Sequence, residues 1–393
     1  MREIQFGRLL KAPERSFFLL GPRSVGKSTW LRRSFPGAPY FDLLRQSTYL
    51  EFAQDPERLA PLAGKLPAGS WIVIDEIQKL PPLLDEVHRL IEGKKWRFAL
   101  CGSSARKLRR GGVNLLGGRA VNRTMGPFCS AELEERFKPD QALQWGMLPA
   151  VIGSPSDAAD LLDAYVNTYL KEEIKEEGLI RNLPPFLRFL QIAGMMNGQV
   201  VNALNISREA AVPRATVDTY FSILEETLLG HFLAPWRPGL KVREKAHRKF
   251  YWFDAGVARA AAGLLRDPAD RIWLGYSLET LIFHELRTYN QTSGKNRPLW
   301  FYPVGGAEEV DFLVETRKGR PGNPAKAVSI EVKLSEKWDR TWEKPMRHLA
   351  ANPKIGIERS IGVYRGTQAY AFEGVDVMPV QVFLSELHQG KIF

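Results

Sequence analysis

Cysteine is nearly absent from this chain of 393 residues, which has only Cys101 and Cys129. Two cysteines cannot build a disulfide framework or a CxxC metal knuckle, so a reducing, cytoplasmic setting is expected. Long apolar runs are missing too. No stretch approaches the ~18 residues of a membrane-spanning helix, and Met1-Arg2-Glu3-Ile4-Gln5 lacks the apolar core of a secretion signal, so no membrane partner is expected. There is no repeat of fixed period and no low-complexity tract. Acidic residues are the minority sign: 44 Asp and Glu against 55 Lys and Arg leave a net charge of +11 and a pI near 9.5. Unless it serves solubility alone, that excess suits a polyanionic partner, most simply nucleic acid.

Hydrophobic and charged contents of 44% and 25% are ordinary for a globular protein. The length suits about two or three domains at ~100–200 residues each. In the first part, Phe17-Phe18-Leu19-Leu20, Tyr40-Phe41-Asp42-Leu43, Trp71-Ile72-Val73-Ile74 and Phe98-Ala99-Leu100-Cys101 read as buried strands separated by helical patterns, as in a doubly wound parallel sheet. Gly153-Ser154-Pro155-Ser156 reads as a boundary. The middle is mostly helical, with amphipathic stretches at 161–177, 185–197 and 214–229 and strand-like pieces at 232–236 and 250–253. A helix near 275–289 and strands at 299–302, 310–315 and 327–333 suggest a separate α/β unit. The expected division is 1–155, 156–265 and 266–393.

Gly21-Pro22-Arg23-Ser24-Val25-Gly26-Lys27-Ser28 fits the phosphate-binding pattern G-x-x-x-x-G-K-[ST], and Thr29 follows it. The glycines let backbone N–H groups turn around phosphate oxygens, Lys27 reaches the β- and γ-phosphates, and the Ser28 hydroxyl holds Mg²⁺. The motif follows an apolar strand and opens a helix, the context it needs. A second apolar strand ends in Asp75 and Glu76. Asp75 is expected to hold Mg²⁺ through its water shell, and Glu76 to orient and deprotonate the attacking water. ATP and Mg²⁺ are therefore the expected cofactors. A third strand ends at Cys101-Gly102-Ser103-Ser104, where Ser103 or Ser104 is a candidate γ-phosphate sensor, or simply part of a turn. Arg119 is a candidate for stabilising transition-state charge, with a surface arginine as the plainer reading.

These segments resemble the bacterial and archaeal AAA-type ATPases with a C-terminal DUF4143 region. The resemblance runs through residues 21–29, 72–76, 101–104, 115–119, 169–174, 189–190, 197–199, 216–224, 253–256, 278–281, 309–312 and 330–333. It implies a P-loop AAA-type parallel-sheet core, a winged-helix middle domain and a C-terminal restriction-endonuclease-like α/β domain. It also implies that Arg119 acts on a neighbouring subunit's nucleotide, hence a homo-oligomer. The chain departs from the family at Ser24, where Gln is frequent, and at Lys171-Glu172-Glu173, where an Arg-Asp pair is usual.

Residues 207–211, a turn at Val212-Pro213 and the stretch 214–229 read as a helix-turn-helix. Val217, Phe221, Leu224 and Leu228 share one face and are candidate core, while Arg214, Asp218 and Ser222 face outward. Arg237, Lys241, Arg243, Lys245, His247, Arg248 and Lys249 lie between the two strand-like pieces with Glu244 as the only acid. A basic wing of this kind suits phosphate contacts on DNA, and a solvated loop is the plainer alternative. Trp236 at its base is expected to pack or stack.

In the last part Glu331 and Lys333 stand two residues apart on a strand, so both point to one face. With Asp311 on an earlier strand and Glu279 on the preceding helix, they match the PD-(D/E)xK pattern: carboxylates that hold Mg²⁺ and a lysine that stabilises water or developing charge. The expected function is a DNA-binding ATPase acting on duplex or branched DNA, Holliday junctions included, with metal-dependent cleavage as an open addition. A nucleotide-dependent switch with a protein partner is the alternative. A small-molecule kinase is disfavoured by Glu76 and by the lack of an evident acceptor lid.

Overall fold

In the first part of the chain the apolar runs form β1 (Phe17–Leu20), β2 (Tyr40–Asp42), β3 (Trp71–Asp75) and β4 (Arg97–Gly102), joined by β5 (Val121–Thr124). The computed structural model describes residues 6–103, 116–171, 183–237, 248–305, 308–320 and 322–393. The strand order is β2-β3-β4-β1-β5 and every neighbouring pair runs parallel. The two-residue period of a strand divides the runs between two cores. Phe17, Leu19, Val73, Ala99 and Cys101 pack on one side with Trp30 and Leu31, which belong to α1 (Lys27–Ser34). Phe18, Leu20, Ile72, Ile74, Phe98 and Leu100 pack on the other with Val87 and Leu90 of α2 (Leu83–Lys94). A sheet covered on both faces needs apolar residues at consecutive positions, as these runs supply. The carboxyl ends of β1, β3 and β4 meet along one sheet edge, where open α/β sheets bind ligands.

The middle part places α3 (Leu183–Met195), α4 (Ala203–Ala210) and α5 (Arg214–Glu226) beside an antiparallel sheet of β6 (Gln199–Val200), β7 (Gly230–Leu233) and β8 (Lys249–Trp252), in the order β6-β8-β7. Val217, Phe221 and Leu224 are buried as expected. Leu228 is only partly buried: the helix stops at Glu226, and Leu228 adopts a left-handed turn conformation at φ 62°. The stretch expected helical from 161 begins at Ala158, and Ala158–Ala164 passes into a π-helical segment at Tyr165–Leu170.

The middle part ends with α6 (Ala255–Ala261), and the last part carries α7 (Arg271–Thr292), α8 (Lys344–Ala350) and α9 (Val380–His388). Its sheet contains β9 (Leu299–Gly305), β10 (Glu308–Arg317), β11 (Ala325–Lys333), β12 (Ile355–Tyr364), β13 (Tyr370–Phe372) and β14 (Val375–Pro379). The order is β13-β14-β12-β11-β10-β9, with β11, β12 and β14 parallel and the remaining pairs antiparallel. Leu278, Ile282 and Leu286 of α7 and Phe383, Leu384 and Leu387 of α9 cover one face, while Met346 and Leu349 of α8 cover the other. The middle unit is sewn to this sheet. Beyond β7, the Trp236 N–H donates to the Phe301 carbonyl at 2.7 Å and the Phe301 N–H to the Ala234 carbonyl at 3.1 Å. Trp236 is therefore core, buried and packed near Tyr302. No helix among the described residues is long and apolar enough to cross a membrane.

Candidate active site

The loop from Gly21 to Ser28 connects β1 to α1. Gly26 caps the helix in the left-handed region at φ 88°, and Ser24 also has positive φ, at 62°. No side chain caps the helix and its first turn holds no acid, so its amide N–H groups remain open to an anion. A Cβ on Gly21 would lie 2.2 Å from the Met125 carbonyl oxygen, so β5 presses against the loop and only glycine fits. The Lys27 ammonium is buried and donates to the carbonyls of Gly21 and Pro22, each at 2.8 Å. Among the described residues no carboxylate pairs with it, so a phosphate can take it without breaking an ion pair. Pro22 and Val25 are buried, Arg23 and Ser28 half-buried, and Ser24 and Thr29 exposed.

Asp75 ends β3 and is buried. The Tyr40 hydroxyl donates to Asp75 Oδ2 at 2.5 Å. Burial, and then the bond to Asp75, push the Tyr40 phenol far above its ordinary range. Glu76 is held at φ 60°, an uncommon conformation for a side chain that is not glycine. Burial raises its carboxyl pKa, opposed by the charge of Lys27. A carboxylate raised in this way accepts a proton more readily. The donor set fits a magnesium nucleotide: a hydroxyl, a carboxylate, free helix amides, an unpaired lysine and a cradle that a Cβ would fill.

Three contributors were not visible in the sequence. Gln78 is buried; its Nε2 donates to Glu76 Oε2 and, at 3.2 Å, to the Ser103 hydroxyl. It thus joins the candidate sensor at the end of β4 to the acid that would handle water. Arg8 clamps the loop from outside, donating to the Val25 carbonyl, to Gly126 and Pro127 carbonyls at 2.8 and 3.0 Å, and to Glu132 at 2.6 Å. In the sequence Tyr40 is simply a residue of a strand. Ser104 lies outside the described residues. Arg119 sits on a surface turn, its Nε 2.5 Å from Glu92 Oε1.

The C-terminal residues Glu279, Asp311, Glu331 and Lys333 come together, each within reach of the others' charge, and a further cation joins them. Lys249, expected on a solvent-facing wing, is 2% exposed. Its ammonium lies 2.6 Å from Glu309 Oε1, 3.4 Å from Glu279 Oε2 and 3.7 Å from Asp311 Oδ1. The Tyr251 hydroxyl donates to Glu279 at 3.0 Å, and Asp311 Oδ2 accepts the Val332 N–H at 2.8 Å. Lys333 pairs with Glu331 along its own strand at 2.5 Å. Among the described residues, three metal-type ligand atoms gather within 4.8 Å at Cys129, Glu285 and His388, not at Glu279, Asp311 and Glu331. An ammonium from the middle unit thus sits among Glu279, Glu309 and Asp311, where the expectation places a divalent ion. Burial pushes Glu279 up to about 7 and Glu331 well above the ordinary carboxyl range.

Of the remaining residues expected on DNA, Arg214 and Arg237 are exposed, and Arg248 lies over the Phe232 ring at 3.7 Å. Lys241, Arg243 and Lys245 lie outside the described residues.

Comparison with known families finds three matches along the chain: an AAA domain over residues 13–134, a domain of unknown function (DUF8612) over 136–267, and a domain of unknown function (DUF4143) over 274–383. No curated protein matches it.

Proposed function

We propose that this chain, an AAA ATPase domain followed by DUF8612 and DUF4143 domains, is an ATPase that works on DNA. The ATPase part follows from the domain and from the site that β1, β3 and β4 assemble. Residues 21–28 would wrap the phosphates, with Lys27 turning from its two carbonyls to the β- and γ-oxygens. Ser28 and Asp75 would hold Mg²⁺, which neutralises charge building on the phosphate oxygens. Glu76 would take the proton of the attacking water, oriented by Gln78 from Ser103. Arg119 would act across a subunit boundary in a homo-oligomer, leaving Glu92 to do so.

The DNA part rests on the middle unit, which we read as a winged helix. The observation that carries it is helix α5, set after a tight turn at Ala211 (φ 53°), with Val217, Phe221 and Leu224 buried and Arg214, Asp218 and Ser222 outward and exposed. The connection between β7 and β8 holds Lys241, Arg243 and Lys245, and the chain carries a net charge of +11. Phosphate contacts by such groups release counterions, so binding weakens steeply with salt. We read the C-terminal unit as a restriction-endonuclease-like fold in which Lys249 stands in for a cation, and we assign it no cleavage step. The test is fluorescence anisotropy on duplex, forked and four-way DNA over a salt series. Binding whose logarithm falls linearly with the logarithm of salt is expected. No binding to any of these DNAs, with hydrolysis unaffected by them, would instead favour a switch with a protein partner.

A further inference from the structure

A cleft of about 450 Å³ opens where all three units meet. Its walls are the edge strand β5 of the ATPase sheet, strand β7 of the middle unit and helix α7 of the last. None of the nucleotide-site residues lines it. Arg287 projects from α7 into this space. Among the described residues no carbonyl or carboxylate takes a hydrogen bond from its guanidinium, whose close neighbour is the Phe283 ring at 5.6 Å. Burial lowers its pKa to about 10, opposed by Glu225, the one acid of the wall among the described residues. Arg287 is half-buried, so its guanidinium is only partly hydrated, and an anion in the cleft would supply a partner.

The rest of the wall is built to receive one. Arg297 is a second cation at the rim, and Asn290 sets its position by exchanging two hydrogen bonds with its backbone at 2.6 and 2.7 Å. Asn122 offers an exposed carboxamide from β5. His231 is kept neutral by burial and by the charge of Arg287, so it can donate or accept without adding repulsion. Two cations against a single carboxylate leave the cleft positive.

We propose that this cleft binds a phosphate group, from a nucleic-acid backbone or from a free nucleotide or pyrophosphate, with Arg287 as its anchor and Arg297 and Asn122 at its rim. Arg is suited to this because its planar fork meets two phosphate oxygens at once. The site is also placed to be felt by the nucleotide loop. Thr124 and Gln291 exchange hydrogen bonds at 2.5 and 2.7 Å between β5 and α7, and the next residue, Met125, backs Gly21. The proposal does not depend on the DNA reading, because a small phosphate would serve it equally.

The test compares the parent with Arg287→Gln, Arg287→Lys and Asn122→Asp in two arms: a short fluorescein-labelled duplex followed by anisotropy, and inorganic pyrophosphate followed by calorimetry. Parent and every variant carry Lys27→Ala in this assay, so that the loop at Gly21–Ser28 does not take up the probe. Losing a charge-assisted bidentate contact should weaken binding about ten-fold or more. Arg287→Lys should recover only part of it. Asn122→Asp changes an exposed side chain and adds a carboxylate to the rim, so it should weaken binding several-fold even if Arg287→Gln folds poorly. Weakening confined to the duplex arm identifies backbone phosphate as the source, and weakening confined to pyrophosphate identifies a small anion. If Arg287→Gln, with a parental unfolding midpoint, and Asn122→Asp both bind the two probes as the parent does, the proposal is overturned.

Discussion

Replacing Lys249 with Met removes the ammonium that sits among Glu279, Glu309 and Asp311 while keeping the volume of the stem. Glu279 and Asp311 are nearly buried, and the lysine side chain itself is 3% exposed. Deleting one partner of a buried ion pair costs about 3–5 kcal/mol, because it strands the other charge out of water. Three carboxylates share this lysine, so the upper half of that range is expected, with an unfolding midpoint lower by roughly 10–20 °C in the C-terminal unit. The pH dependence follows from Glu279. Its folded pKa, about 7, already lies above the ordinary 4.5, because burial outweighs the help of Lys249. A carboxyl raised in the folded state costs stability as it ionises, so stability is lost as pH rises from the unfolded value through the folded one. Removing Lys249 raises that folded value further, so the deficit of Lys249→Met should be largest near pH 8 and shrink toward pH 5. Thermal and urea unfolding at both pH values measure it. Millimolar Mn²⁺ should stabilise the variant and not the parent, since the acids can then close on an added cation. A loss below about 1 kcal/mol, equal at both pH values, would refute the reasoning.

The remaining predictions concern nucleotide and DNA. Glu76→Gln should bind a fluorescent ATP analogue like the parent but hydrolyse ATP about 10²–10⁴-fold more slowly, as phosphate release reports. Gln78→Leu breaks the link between Glu76 and Ser103, so it should lower kcat while leaving KM near the parental value; an unchanged kcat would show the link to be idle. Arg214→Ala combined with Arg243→Ala and Lys245→Ala should reduce the slope of log affinity against log salt by about 2–3 for duplex DNA. An unchanged slope would place the DNA elsewhere on the protein.

The elements of the candidate nucleotide site were largely readable because its parts are local. An apolar strand, a glycine loop and a helix follow one another in sequence, and Asp75 and Glu76 end a second apolar run. The buried face of helix α5 was readable from the spacing of Val217, Phe221 and Leu224. Strand β5 was not, since Val121-Asn122-Arg123-Thr124 has one apolar residue and owes its place to pairing with β1. Gln78 and Arg8 were hidden because nothing local distinguishes a glutamine or arginine that reaches a loop by tertiary contact. Lys249 was misplaced for a related reason. In sequence it closes a run of basic residues that looks solvent-facing, but as the first residue of β8 it points inward. The acids that receive it come from α7 and β10, well apart along the chain.

Steady-state phosphate release, with and without duplex DNA at low salt, tests the central claim most directly when parent and Glu76→Gln are run side by side. The account predicts Mg²⁺-dependent hydrolysis by the parent that rises when DNA is added, and near silence from Glu76→Gln under both conditions. Parental turnover in Glu76→Gln would contradict the assignment of the site, and a parental rate indifferent to DNA would contradict its coupling to nucleic acid.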